Sequence, residues 1–299
     1  MGHHYNWGLP LIIDLFAAAM GASAFMVAVI ADLADRKNKY LDVSFTGAAI
    51  APWPVILGVA LLVVDLGNPL RFWEMILKRG DGLLTLEFPF IQFVPSSVMS
   101  WGTWVLSLFV IVSFCYLAAH VASYALHWVA PIRKIIGVIG ILFALPVTVY
   151  TGVLIASCNN ALWNSPLLPT LFVASALASG LAVVVFVLSC IRIFLKTEPR
   201  EPNVRRLEKA CGYMLGFQLV LLVAFILTGI GSPLMRAMIG HQFGVLFWVG
   251  IVGLCTIVPI AALLMTRERT PQTSLVLAGL ILLGGFFMRY ALLIAGQTI

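Results

Sequence analysis

The sequence predicts an all-α integral membrane protein with eight transmembrane helices. The chain is 62% hydrophobic and only 10% charged, and its mean hydropathy is +1.05. A helix of about 20 apolar residues crosses the roughly 30 Å hydrocarbon core of a bilayer. The apolar stretches are continuous rather than alternating in short strands, which favours helices over a β-barrel. The eight stretches cover residues 10–31, 45–66, 99–122, 134–156, 167–191, 208–230, 244–265 and 274–296.

The distribution of Lys and Arg predicts the direction in which each helix crosses. The odd-numbered connections and adjacent helix ends carry 13 of the 18 cationic residues. These are Arg36, Lys37, Lys39, Arg133, Lys134, Arg192, Lys196, Arg200, Arg205, Arg206, Lys209, Arg267 and Arg269. Because cytoplasmic connections retain positive charge, we expect both termini to be extracytoplasmic, in the cytoplasmic membrane of a bacterium or archaeon. The net charge of +6 reflects mostly this asymmetry, so no nucleic acid is expected as a partner.

An internal similarity predicts that the eight helices form two bundles of four. Residues 67–71 (GNPLR) end the second stretch, and residues 231–236 (GSPLMR) end the sixth, four spans later. Such repeats build many membrane folds. We expect residues 1–133 to hold spans 1–3 with an external loop at 67–98, and residues 134–166 to complete the first bundle with span 4 and its external loop. Residues 167–299 would form the second bundle from spans 5–8.

The histidines and cysteines indicate a chain without a metal centre. Of the five histidines, only His120 lies well inside a predicted helix, so no two histidines can hold a b haem across a bundle. The five cysteines are scattered and contain no Cys-x-x-Cys pair. We therefore expect no haem, no iron–sulfur cluster and no other metal in this chain.

Polar residues from four predicted helices fall at similar depth near the extracytoplasmic side. These are Asp14 in the first helix, Asp65 in the second, Tyr150 in the fourth and Arg289 in the eighth. An ionisable residue inside a membrane is costly and faces a cavity or a partner. The group predicts a polar pocket open to the outer leaflet, or structural ion bridges such as Asp14 or Asp65 with Arg289. The two interpretations are compatible, since a bridge can line a pocket.

A second polar group is predicted near the cytoplasmic end of the third helix. His120 lies there, with Tyr116 one turn away. One interpretation is a hydrogen-bonded cluster at the inner interface. The other is part of a proton path, for which His120, Tyr116 and Gln218 are the candidates, Gln218 being the other deep polar side chain.

Five segments that occur in order resemble the NrfD / polysulfide reductase membrane-subunit family. Together they span about residues 6–297 in a chain of eight predicted helices. The segments are 65–73 (DLGNPLRFW), 97–102 (SVMSWG), 150–154 (YTGVL), 162–169 (LWNSPLLP), and 284–290 (GGFFMRY) continuing through Gly296 and Gln297.

The resemblance implies an integral subunit of a respiratory oxidoreductase complex that binds menaquinone or ubiquinone and carries no catalytic centre itself. It implies an extracytoplasmic four-cluster, ferredoxin-like iron–sulfur subunit as a partner. That subunit would connect the membrane protein to a molybdopterin catalytic subunit or to a multihaem cytochrome c. The direction of electron flow, quinol oxidation or quinone reduction, remains open. Membrane lipid is the other expected partner.

The resemblance also assigns roles to residues of this chain. Tyr150 looks like the quinone-contacting tyrosine, and Asn6 is expected to match a quinone-contacting asparagine. Asp65, Arg71 and Arg289 look like polar positions of the pocket. Asp14 departs from the family pattern, which implies a changed proton relay or a local salt bridge. We expect Tyr150 to bind one quinone carbonyl, Asn6 or Arg71 the other, and Asp65 or Asp14 to exchange protons with the outer phase.

The alternative function is an ion- or proton-translocating transporter subunit. Transporters of this kind place charge at the membrane midplane beside broken helices. Here the charge lies toward one face, which favours the redox interpretation. A purely structural anchor would leave the outer polar group without a purpose.

Overall fold

The computed structural model describes residues 8–35, 39–65, 69–79, 86–91, 97–158, 163, 165–196, 201–229, 231, 235, 240, 244–265 and 270–297. The predicted eight spans are confirmed: eight helices are long and apolar enough to cross a membrane. The helices are α1 (Leu9–Ala34), α2 (Leu41–Ile50), α3 (Pro52–Asp65), α4 (Val98–Ala125), α5 (Val129–Ala156), α6 (Leu167–Phe194), α7 (Glu201–Gly229), a π-helical segment (Leu246–Ile257), α8 (Val258–Met265) and α9 (Pro271–Gln297). Helices α2 and α3 together form the second span, and the π-helical segment with α8 forms the seventh.

The connection between the second and third spans contains secondary structure that the sequence analysis did not predict. A 3₁₀ helix, Pro69–Met75, is followed by strands β1 (Leu77–Arg79) and β2 (Leu86–Ile91). The strands are antiparallel, with Leu77 opposite Ile91 and an irregular register between them. The fold is therefore helical in its spans, with a small two-stranded sheet in the predicted external loop.

Helices α1 and α6 form the centre of the molecule. Helix α1 packs against α2, α3, α5, α6 and α9, and α6 packs against α1, α5, α7 and α9. The two central helices approach closely because Gly180 of α6 has no side chain where it meets Ser23 of α1. Small residues at such contacts are typical of membrane helices, because packing rather than water exclusion holds them together.

The peripheral helices expose aliphatic side chains. Ile111 of α4 is 60% exposed, Leu142 of α5 is 66% exposed and Val220 of α7 is 66% exposed. Lipid tails are the matching environment for such side chains. Contacts of α1 and α5 with α6 join the two halves of the chain. The division into two four-helix bundles and the extracytoplasmic termini remain predictions.

One tryptophan ties the connection after α5 to the core. Trp163 is fully buried, and its Nε1–H donates a hydrogen bond of 3.0 Å to the carbonyl oxygen of Leu292 in α9. Its ring lies against Gly296, where any side chain would overlap the indole. The connection is thereby folded back onto the end of α9.

We expect Trp163→Ala to destabilise the protein by about 3–5 kcal/mol, because it leaves a large cavity and removes the hydrogen bond to the Leu292 carbonyl. Trp128→Ala is the matched control, since Trp128 is 66% exposed. Thermal unfolding of both variants in detergent measures the difference. Equal unfolding temperatures for the two variants would contradict the anchoring role of Trp163.

Candidate functional site

The outer end of the molecule brings together the predicted polar residues of different helices. We define the outer end as the end where α1, α4 and α6 begin and α3, α5 and α9 terminate, which the charge distribution predicts to be extracytoplasmic. Asp14 lies in the second turn of α1, and Tyr150 lies six residues before the end of α5. These two side chains and the glycines against which they pack, Gly58 and Gly102, form what we call the outer site.

Asp14 is buried in this site. Its side chain is 1% exposed, and its Oδ1 has no hydrogen-bond donor among the described residues. Gly58 of α3 makes room for the carboxylate, because a Cβ at this position would overlap Oδ1. A buried carboxylate oxygen without a donor is costly in a protein interior. This cost makes Asp14 a candidate functional residue.

Tyr150 occupies the neighbouring position and is half-buried. Its ring and hydroxyl lie over Gly102 of α4, where a Cβ would overlap them. Tyr150 lies on α5, which packs against the helix that carries Asp14. Within the described residues the Tyr150 hydroxyl forms no hydrogen bond. The outer site therefore holds a buried carboxylate and a half-buried phenol hydroxyl.

Arg289 is fully buried between α9 and α6. Its Nη1 donates to Ser175 Oγ at 3.1 Å and to the Gly285 carbonyl oxygen at 3.0 Å, while Nε has no partner. The guanidinium also lies over the rings of Phe16 and Phe172, at 5.5 and 5.1 Å from their centroids. Neutral groups and aromatic faces therefore stabilise this cation.

The ion bridges considered for Arg289 do not form. In the described part of the chain, neither Asp14 nor Asp65 pairs with this guanidinium. The interpretation of the outer group as simple bridges is wrong for these pairs, because Arg289 faces α6 whereas Asp14 faces α3.

Aromatic side chains from α1 and α9 pack together beside Arg289. Phe16 contacts Phe286 edge-on, with 5.9 Å between centroids, and Phe286 stacks on Tyr290 at 6.5 Å. Such faces suit the flat, apolar body of an aromatic ligand.

The structure places Asp65 and Arg71 nearer the surface. Asp65 ends α3 and is exposed, seven residues beyond Gly58. Seven residues are about two helical turns, or about 10.5 Å, so Asp65 lies on the same face of α3 as the glycine that contacts Asp14. Arg71 is exposed and engages Glu74 through two hydrogen bonds of 2.7 Å. These bonds and the charge of Glu74 raise the pKa of Arg71. Asn6 lies outside the described residues.

A larger polar cluster lies at the opposite, inner end. Asp32 of α1 and Arg133 of α5 are buried and form an ion pair, with 2.5 Å between Oδ1 and Nη2 and 2.9 Å between Oδ2 and Nε. Tyr116 of α4 donates from its hydroxyl to Asp32 Oδ2 at 3.2 Å. These residues, with Ser44, His120 and Ser123, form what we call the inner network.

Ser44 and Ser123 connect the remaining members. Ser44 Oγ lies 2.9 Å from His120 Nε2 and 3.3 Å from the Tyr116 hydroxyl. Arg133 Nη1 donates to Ser123 Oγ at 2.8 Å, and Ser123 Oγ donates to the His120 carbonyl oxygen. The sequence predicts a cluster around His120 and Tyr116, and the structure shows one. The participation of Asp32 and Ser44 was not predicted, and Arg133 was counted as a loop cation.

Gln218 does not belong to this network. It lies buried in α7, and its Nε2 contacts Met288 Sδ at 3.4 Å. An apolar layer also separates the inner network from the outer site: Phe25 packs edge-on against Phe109 and Tyr116, at 5.4 and 5.1 Å. Asp14 and Asp32 are 18 residues apart on α1, which corresponds to about 27 Å. The two polar groups are distinct sites at opposite ends.

The donor set of the outer site suits an organic ligand better than a metal ion. No three His, Cys, Asp or Glu side chains among the described residues lie close enough together to hold an ion. The polar groups of the outer site are one carboxylate and one phenol, which suit hydrogen bonds to an organic ligand.

The fold and site define a multi-pass integral membrane protein with a polar site enclosed near one membrane face. The family model described as "Polysulphide reductase, NrfD" matches residues 1–299. The chain therefore belongs to the NrfD family, as its sequence segments predicted, and is an integral protein of the bacterial membrane.

Individual relatives match nearly the whole sequence. The C component of the polysulfide reductase of Wolinella succinogenes is 26% identical, covering 98% of this chain and 94% of the relative. Protein NrfD of Escherichia coli is 25% identical over 97% of this chain and 95% of its own length. The C component of the selenate reductase of Mesobacillus selenatarsenatis is 25% identical over 97% of this chain and 73% of its own length. Two of these names denote components of reductases, which is consistent with a membrane subunit of an oxidoreductase.

We expect Asp32→Asn and Arg133→Gln each to destabilise the protein by about 3–5 kcal/mol, because each leaves the other charge buried and unpaired. The double variant should lose less free energy of unfolding than the sum of the losses in the two single variants. Chemical unfolding in detergent measures all three, with Lys134→Gln as the neighbouring cation control. If Lys134→Gln costs as much as Arg133→Gln, the ion pair is not what stabilises the inner end.

Proposed function

We propose that this chain is the quinone-binding membrane subunit of a respiratory oxidoreductase complex and that the outer site holds the quinone head group. The observation that carries the proposal is the buried Asp14 carboxylate, whose Oδ1 has no hydrogen-bond partner in the described part of the chain and whose helix packs against the helix of Tyr150. Family membership supports the same assignment.

The residues of the outer site suit a quinone. A quinone head group is a flat ring with two carbonyl oxygens, and when bound it supplies two-electron, two-proton redox chemistry. Gly58 and Gly102 make room for the Asp14 carboxylate and the Tyr150 ring against α3 and α4. Phe16, Phe286 and Tyr290 offer an aromatic wall.

Each polar side chain has a role in this proposal. The Tyr150 hydroxyl donates a hydrogen bond to one carbonyl oxygen and fixes the ring orientation. Asp14 accepts or returns a proton at the other oxygen, because it is the carboxylate that the site encloses. Asn6 or Arg71 completes the second carbonyl contact. Arg289 keeps its own hydrogen bonds and supplies positive potential behind the aromatic wall.

Asp65 provides the exit for protons. It lies on the Asp14-facing side of α3, about 10.5 Å closer to the outer surface than Gly58. It is exposed, so it exchanges protons with the aqueous phase, and Asp14 exchanges them with the ligand. The sequence left Asp65 and Asp14 as alternatives for proton exchange, and in this proposal both carboxylates take part in the proton relay.

The electron-transfer partners are assigned to the outer surface. The iron–sulfur subunit docks over the outer end and links the membrane chain to a molybdopterin subunit or a multihaem cytochrome c. Phe72 and Trp101 support this docking, since they are 48% and 49% exposed at the outer end. Aromatic residues are enriched in protein interfaces. The proposal includes menaquinone and ubiquinone alike.

The second candidate function is proton translocation coupled to the same redox reaction. The hydrogen-bonded series Asp32, Tyr116, Ser44 and His120 favours it, because buried His120 Nδ1 has no partner and remains available. The apolar layer around Phe25 and Phe109 opposes it, since a proton would have to cross this layer to reach the outer site. Gln218 lies on α7 and contacts α9, so it would have to join the proton path from outside the helices of the inner network.

We expect Tyr150→Phe to lower quinol-linked turnover of the purified complex about tenfold, because it removes one hydrogen bond to the ligand. Asp14→Asn should lower it about a hundredfold, because it removes the proton acceptor. Gly102→Ala should also impair turnover by displacing the Tyr150 ring. Tyr213→Phe is the control, since Tyr213 is 64% exposed on α7.

Full turnover in both Tyr150→Phe and Asp14→Asn would remove the quinone from this location. Reconstitution of the complex into vesicles with an internal pH dye distinguishes the two candidate functions in the same assay. Quinol oxidation releases two protons per quinol. Release confined to the outer side supports the simple quinone site, whereas proton uptake from the inner side that is lost in Tyr116→Phe supports translocation.

A further inference from the structure

A cavity at the inner half of the molecule lies far from the outer site and plays no part in the proposed quinone chemistry. It has a volume of about 500 Å³ and lies between α1, α2, α6 and α7. Its walls are apolar and include Met26, Ile30, Leu181 and Met214. Ile30 is 61% exposed, so the cavity opens sideways toward the lipid. Its volume is within the range of ligand pockets, roughly 300–1,000 Å³.

Polar groups gather at one end of this cavity. Tyr40, Asn203 and Arg206 line it there, where α2 and α7 begin at the inner membrane surface. Arg206 donates to the Tyr40 hydroxyl, and its guanidinium lies 5.7 Å from the centre of the Tyr40 ring. The cavity thus has an apolar body and a cationic rim.

The positive charge of Arg206 is not neutralised within the described residues. The carboxylates on either side of Tyr40 in the sequence have other donors: Asp35 accepts from the backbone N–H groups of Lys39 and Tyr40 at 2.9 and 3.1 Å, and Asp42 accepts from Asn203 Nδ2 at 3.3 Å. Arg206 is exposed and its guanidinium is held in place by Tyr40. Among the described residues it is therefore a fixed cation without a carboxylate partner, and an anion from outside the chain can reach it.

We propose that this cavity is a binding site for an anionic phospholipid, with an acyl chain between α1 and α7 and the headgroup phosphate on Arg206. The lateral opening admits a lipid from the bilayer, and the apolar walls match its acyl chain. The cation at the membrane surface matches its anionic headgroup. Basic pockets between helices at the cytoplasmic surface are a known setting for anionic headgroups. A quinone has no anionic group to engage Arg206, so the charge favours a lipid.

Native mass spectrometry of the full-length protein tests the proposal. The protein is extracted into mild detergent with equal amounts of phosphatidylglycerol and phosphatidylcholine, and the retained lipids are counted. We expect phosphatidylglycerol to be retained about fivefold more, since each basic residue at the membrane surface contributes about that factor. Arg206→Gln should abolish the preference, and Arg206→Lys should keep most of it.

Two further variants separate this site from general surface charge. Arg205→Gln removes the adjacent exposed cation, which does not line the cavity, and should leave the preference intact. Ala210→Phe fills the cavity and should reduce retention of both lipids. An unchanged preference in Arg206→Gln, or equal loss in Arg205→Gln, would overturn the proposal. Displacement of the bound lipid by equimolar ubiquinone would also overturn it, in favour of a second quinone site.

Discussion

The scarcity of water inside a bilayer governs how this protein arranges its buried charges. A charged group there needs a partner from the chain itself or from a ligand. Asp32 satisfies this requirement with Arg133, at 2.5 and 2.9 Å. Arg289 satisfies it in part with Ser175, a backbone carbonyl and two aromatic faces. Asp14 does not satisfy it, since its Oδ1 is enclosed without a donor.

This contrast between the two ends connects the fold to the proposed function. The inner network joins α1, α2, α4 and α5 through hydrogen bonds and an ion pair. It holds α1 in register against its neighbours, and α1 in turn positions Asp14 two turns from the outer end. Gly58 and Gly102 then allow α3 and α4 to pack closely against Asp14 and Tyr150. A hydrogen-bonded inner end thereby supports the outer site, where we propose that the quinone binds.

The sequence predicted the spans and the depth of Asp14, Tyr150 and Arg289, because apolar runs and helix periodicity fix position along the membrane normal. It could not predict which way each side chain faces around its helix axis. Arg289 was therefore matched with Asp14 or Asp65, whereas it faces Ser175 of α6. Asp32 was missed because it lies in the last turns of an apolar helix and because its partner Arg133, in α5, was counted as a loop charge. Gly58 and Gly102 carry no chemical signal in a single sequence, and only the packing reveals their role.

The central claim is that a quinone occupies the outer site against α1, α3, α4 and α5. Photolabelling of the membrane-embedded protein with an azido-quinone, followed by peptide mapping, tests it most directly. The account predicts adducts on peptides that contain Asp14, Gly58, Gly102 or Tyr150, and their suppression by excess native quinone. Adducts confined to α7 and α8, or spread evenly over the lipid-facing surfaces, would contradict it.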